Sequence, residues 1–168
     1  RQFIEELKGR VLSARVAAAR AVNRDLILLY WDIGSAIVEK QQVQGWGDSV
    51  VEMIAADLRS AFPQITGFSP RNVWDMRRLY AVYTAPEMLA QAQLEMQRPI
   101  LRQAVAEFDK DPKQRQVTAK PTTAQTIKFL QQLVAEIPWG QNLLILNKLT
   151  DPAAHIYYLR ATARFGWS

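Results

Sequence analysis

Fourteen of the 168 residues are arginine, and four of these, Arg59, Arg71, Arg77 and Arg78, fall between positions 59 and 83 against a single acid, Asp75. A guanidinium is flat, permanently charged and carries a fixed fork of donors, so it suits phosphate oxygens and the guanine edge better than an ammonium does. On a helix over 69–83, Arg71, Trp74 and Arg78 lie together at i, i+3 and i+7, turned away from Val73, Met76 and Tyr80. Arg71 and Asn72 then sit at the helix start, where backbone N–H groups also attract phosphate. A tryptophan exposed between arginines is unfavourable unless a partner covers it. The alternative is that Trp74 packs under residues 84–108 and the arginines form a solvated face. A second basic segment, Lys113, Arg115, Lys120 and Lys128, has no acid from 112 to 128. It suits a salt-sensitive grip on phosphate, or simply a soluble loop.

Other chemistry finds little support. There is no cysteine, which excludes disulfides, thiolate metal sites and a thiol nucleophile. The single histidine, His155, follows Asp151 by one helical turn and reads as a surface or cap-region residue. The carboxylates are scattered, with no convergent pair, and no phosphate-loop, dinucleotide or zinc-protease motif occurs. No catalytic residue, metal or cofactor is expected.

The elements that would position these residues are helical nearly throughout. From Ile4, apolar residues recur as Leu7, Val11, Ala14, Ala18, Val22, Leu26, Leu29, Ile33 and Ile37. One helix of that length would span about 50 Å, longer than the roughly 40 Å breadth of a compact domain this size. The expectation is a long N-terminal arm over 1–40 that either projects unbroken to pack on a partner or, the preferred reading, breaks or bends near Asn23–Asp25. After the turn at Gly45-Trp46-Gly47, Ser49-x-x-Glu52 reads as a capping box. It opens a helix with Val51, Ile54, Ala55, Leu58 and Phe62 inward. Ser69-Pro70 starts the next, serine as N-cap and proline at the first helical position, running to about Tyr83. Residues 48–84 therefore predict a helix-turn-helix. A further helix begins at Thr84-x-Pro86-Glu87, and Pro99 should end or kink it. Residues 109–123 read as a polar basic loop, with a short strand conceivable at 115–118. Helical patterns resume at 124–136, at 143–149 after Pro138-Trp139-Gly140, and after Asp151-Pro152. The tryptophans of the Trp46 and Trp139 turns read as rings that close the core, with presentation for base stacking as the alternative, and Tyr157-Tyr158 as one buried and one half-exposed ring.

The net charge of +5 favours a nucleic-acid partner without requiring one. No apolar run reaches the roughly 18 residues that a membrane span needs, and no signal-peptide pattern is present. The expectation is a single, mainly α, non-membrane cytoplasmic domain, read as a piece of a longer protein.

Several motifs occur in order: Leu29-Tyr30-Trp31-x-Ile33-Gly34, Gly45-Trp46-Gly47, Leu58 with Phe62-Pro63, Gly67-Phe68-Ser69-x-Arg71-Asn72 and Met76-Arg77. Pro138-Trp139-Gly140-x-Asn142, Leu149, Tyr158 and Gly166-Trp167-Ser168 follow. Together they resemble the N-terminal domain of the YhcG family of bacterial and phage-associated proteins. The resemblance implies a helix-turn-helix presumed to bind DNA, winged in one version, although no wing hairpin is legible. It also implies a PD-(D/E)XK nuclease-like half beyond Ser168, outside this chain. On this reading double-stranded DNA is the partner. Its contacts would come from Arg59, Ser69, Arg71, Asn72, Trp74, Arg77 and Arg78, with Lys113, Arg115 and Lys120 adding phosphate contacts from the loop. The competing reading is an interaction module in which the N-terminal helices form a homodimer or dock a partner.

Overall fold

The computed structural model describes residues 1–108 and 119–166, with side chains for 1–99 and 119–166. The described residues form seven helices: α1 (Gln2–Gln44), α2 (Ser49–Ala61), α3 (Pro70–Tyr83), α4 (Pro86–Phe108), α5 (Thr123–Ala135), α6 (Trp139–Lys148) and α7 (Pro152–Phe165).

Helix α1 runs unbroken for 43 residues, about 65 Å at 1.5 Å per residue. Its two halves have different environments. Residues 1–22 are exposed on every face, whereas Ile27, Tyr30, Trp31, Gly34 and Ile37 are buried. The break expected near Asn23 does not occur, because the polar residues there serve a different end. The Asn23 amide donates to the Ala135 carbonyl at the end of α5 at 3.4 Å and to the Ile137 carbonyl just beyond it at 3.1 Å. Carbonyls at a helix end have no partner within their own helix, so Asn23 satisfies one and fixes where the arm meets the body.

The main core gathers Ile27, Tyr30 and Trp31 of α1 with Met76, Leu79 and Tyr83 of α3. Leu130 and Val134 of α5 and Ile156 and Leu159 of α7 close it. A smaller cluster of Ile37, Val51, Ala55 and Val73 docks α2 on the α1–α3 pair. Two helix starts follow the sequence rules. The Ser69 side chain accepts from the Asn72 N–H, and Asp151 accepts from the Ala154 N–H at 2.9 Å, each with proline next. Two others differ from expectation. Helix α2 is capped at Asp48, with Ser49 already inside the helix, so the Ser49–Glu52 box does not form. Helix α4 continues through Pro99. That residue is exposed, so the one ladder bond it deletes lies on the solvent side, where the loss is smallest.

His155 is buried rather than superficial. Its Nε2 lies 2.9 Å from the Leu149 carbonyl, which can only accept, so Nε2 carries the proton. Nδ1 then accepts from the Tyr83 hydroxyl at 3.2 Å. Burial lowers the His155 pKa, opposed by the Leu149 carbonyl and Asp151, while Arg78 adds to the lowering. The unfolded imidazole binds its proton near pH 6.5 and the folded one only at lower pH. The stability held by neutral His155 is therefore complete above about pH 6.5 and is lost as pH falls from there, by up to about 1.4 kcal/mol per unit. The melting temperature should drop between about pH 7.5 and about pH 5.5, and His155→Gln should flatten that drop. An identical slope in the variant would assign the acid sensitivity to other groups.

Candidate nucleic-acid interface

Helix α3 carries Arg71, Arg77 and Arg78 of the basic residues singled out by sequence, and its packing sorts them. Arg71 stands in the first turn, exposed, with no carboxylate bound to it. Asn72, its neighbour, points inward. Its Nδ2 donates to the Gly67 carbonyl at 2.6 Å, and its Oδ1 accepts from the Trp139 indole N–H at 2.7 Å. The Asn72 side chain also hydrogen-bonds the Tyr30 hydroxyl and partly offsets the upward push that burial gives the Tyr30 pKa. Both halves of the Asn72 amide are thus used inside the molecule. The clamp leaves no room beside it: Gly67 has φ +106, and a Cβ there would lie 2.5 Å from the Tyr30 hydroxyl. Ser69 Oγ is committed as the cap.

Trp74 is half-buried against the small α1–α2–α3 cluster. The Arg77 guanidinium covers its ring at 5.5 Å while Nε donates to Gln41 of α1. Arg78 reaches α6, donating to Asn147 Oδ1 at 2.6 Å and to the Leu146 carbonyl at 2.7 Å. Arg59 donates to the Ala55 carbonyl of its own helix at 3.2 Å. All these acceptors are neutral. None of the four arginines has a carboxylate within 4.0 Å among the described residues. Lys120 is exposed just before α5. Lys113, Arg115 and the expected strand over 115–118 lie outside the described residues.

The α2–α3 connection spans residues 62–69, and α3 packs chiefly against α1 rather than α2. The contact is close because Gly34 of α1 lies against the Met76 carbonyl. The turn tryptophans also divide. Trp139 meets Tyr30 edge-on at 4.9 Å and closes the core, whereas Trp46 is largely exposed. Tyr157 and Tyr158 are both exposed and touch each other edge-on at 5.3 Å.

A second basic site escaped sequence reading. Arg98 of α4 and Arg160 and Arg164 of α7 line a cavity of about 390 Å³ with Ile156, Tyr157 and Phe165. Glu95 pairs with Arg98 at 2.9 Å and with Arg160 at 3.2 Å, so one carboxylate serves two guanidiniums. Arg160 and Arg164 share a face of α7 at i, i+4, which the sequence displays. Their meeting with Arg98 is a tertiary event. Among the described residues, no group of three or more His, Asp or Glu could hold a metal ion, and no helix is long and apolar enough to cross a membrane.

The description of the DUF1016 N-terminal domain matches residues 6–114. The chain belongs to that family. The DUF1016 match ends before α5, yet Leu130, Val134, Ile156 and Leu159 complete the core that α1 and α3 begin. The later helices are therefore part of the same folded unit. No curated protein and no solved structure matches the chain.

Proposed function

We propose that this DUF1016 N-terminal domain binds double-stranded DNA, with the outer side of α3 toward the phosphate backbone. The observation that carries the reading is the set of arginines on α2 and α3 that, among the described residues, hydrogen-bond neutral acceptors. Arg71 is the least committed of them and is the principal contact. Arg59, Arg77 and Arg78 are anchored cations whose remaining N–H groups can meet phosphate oxygens. Anchoring suits positioning on the backbone better than base readout, so affinity should exceed sequence preference. The α2–link–α3 unit acts as a helix-turn-helix on this reading. The likeness to YhcG proteins supports reading the domain as the targeting half of a nuclease-like protein.

Fluorescence anisotropy with a labelled duplex over a salt series tests this. With about six phosphate contacts, log affinity should fall with log salt at a slope of about −5. Arg71→Ala should weaken binding and lower the slope by about one. Arg71→Ala/Arg78→Ala should weaken it further, with a melting curve checking the α3–α6 bond. Binding indifferent to both salt and Arg71 would refute the reading.

The projecting half of α1 supports a second function, an interaction module, because its apolar residues find no cover among the described residues.

A further inference from the structure

We infer that the exposed seam of α1 docks an amphipathic helix of another protein whose flanking positions are acidic. The inference deepens the interaction reading of the arm and does not depend on DNA contact.

Ile4, Leu7, Val11, Ala14, Ala18 and Ala21 follow one another at alternating steps of three and four residues. That is the spacing of a seam that meets another helix. No described residue covers it: Ile4 is 55% and Val11 60% exposed, and every seam residue lies in the exposed stretch 1–22. The next seam position is Asp25, just beyond Asn23, whose amide ties α1 to the body. The apolar seam thus coincides with the part of the helix that projects.

The flanks of the seam identify the occupant. Arg1, Lys8 and Arg15 line one side, Arg10 and Arg24 the other, and neither side holds an acid. Glu5 and Glu6 fall on outer positions, Glu5 holding Lys8 at 2.8 Å in a fully open pair. An exposed pair of this kind is weakly held, so Lys8 can exchange Glu5 for an acid of the partner. A second copy of this chain fits poorly in either orientation. A parallel pair sets one basic flank against the other, and an antiparallel pair sets each flank against itself. Flanking charges choose partners by attraction and by repulsion, so five cations and no anion select an acidic helix. A basic amphipathic helix can also lie on an anionic bilayer. Here half of the seam is alanine, which inserts little apolar bulk into lipid but lets a second helix approach closely.

The test uses the full chain and two synthetic helical peptides of three heptads, with Leu and Ile along the seam. One carries Glu and the other Lys at the flanks. Isothermal titration should show the Glu peptide binding at least about tenfold tighter than the Lys peptide. Leu7→Ser/Val11→Ser should abolish binding with the melting temperature unchanged, since both residues lie outside the core. Arg10→Glu/Arg15→Glu should reverse the preference between peptides. Equal binding of both peptides would retain an interaction arm and overturn the acidic partner. Binding of neither peptide would overturn both. A dimer in sedimentation that Leu7→Ser/Val11→Ser dissolves would assign the seam to self-association. Stronger binding to phosphatidylserine vesicles than to the Glu peptide would assign it to membranes.

Discussion

Gly34→Ala is expected to destabilise the domain by about 3 kcal/mol or more, lowering the melting temperature by roughly 6–12 °C for a chain of this size. Ordinarily the sign would be opposite, because replacing a mid-helix glycine by alanine stabilises by up to about 1 kcal/mol. At Gly34 a Cβ would overlap the Met76 carbonyl oxygen and lie 2.8 Å from its carbon and 3.2 Å from Tyr80 Cβ. The first two atoms are backbone, so no rotamer relieves the clash. Relief requires α1 and α3 to part along the contact that seats Ile27, Trp31, Leu79 and Tyr83 in one core. Gly9→Ala is the matched control. Gly9 has open space around its Cβ position and lies in the projecting arm, so that change should be neutral or slightly stabilising. Thermal melts of the two variants decide the matter, and a Gly34→Ala protein as stable as the parent would mean that the α1–α3 approach is looser than described.

The same contact shows why some of the fold could be read from sequence and some could not. The starts at Ser69-Pro70 and Asp151-Pro152 were legible because a cap is a local event, completed by an N–H three residues on. The end of α3 near Tyr83 followed from apolar spacing in the same way. The continuity of α1 was not legible. What holds Asn23 within a helix is the end of α5, more than a hundred residues away in the chain. Nor was the position of His155, since burial there depends on Tyr83 arriving from another helix.

The candidate site divides along the same line. A helical wheel gives the side of α3 on which Arg71, Trp74 and Arg78 stand, but not which helix lies across each part of it. Helix α2 and Arg77 claim Trp74, and the end of α6 claims Arg78, leaving Arg71 as sequence placed it. The motif residues Tyr30, Gly67, Asn72 and Trp139 converge on one hydrogen-bonded knot that ties α1, the α2–α3 link, α3 and α6. That set therefore describes how the domain folds more directly than what it binds.

Asn72→Ala separates the two roles of that motif. The substitution leaves the Trp139 indole N–H and the Gly67 carbonyl without the partners they have at 2.7 and 2.6 Å. Each half-buried orphan costs about 1–2 kcal/mol, so a loss of roughly 2–4 kcal/mol and a fall in melting temperature of roughly 4–16 °C are expected. Asn72→Asp is the more discriminating change. It keeps an oxygen for the Trp139 N–H but replaces the donor facing Gly67 with a second acceptor, setting oxygen against oxygen. It should therefore be no more stable than the alanine variant, despite being nearly the same size as asparagine. DNA affinity, measured well below the melting transition, should be nearly unchanged in Asn72→Ala, since no side-chain polar atom of Asn72 is left to face outward. A variant with an unchanged melting temperature and weakened DNA binding would return Asn72 to the interface and break the knot apart as an explanation of the motif.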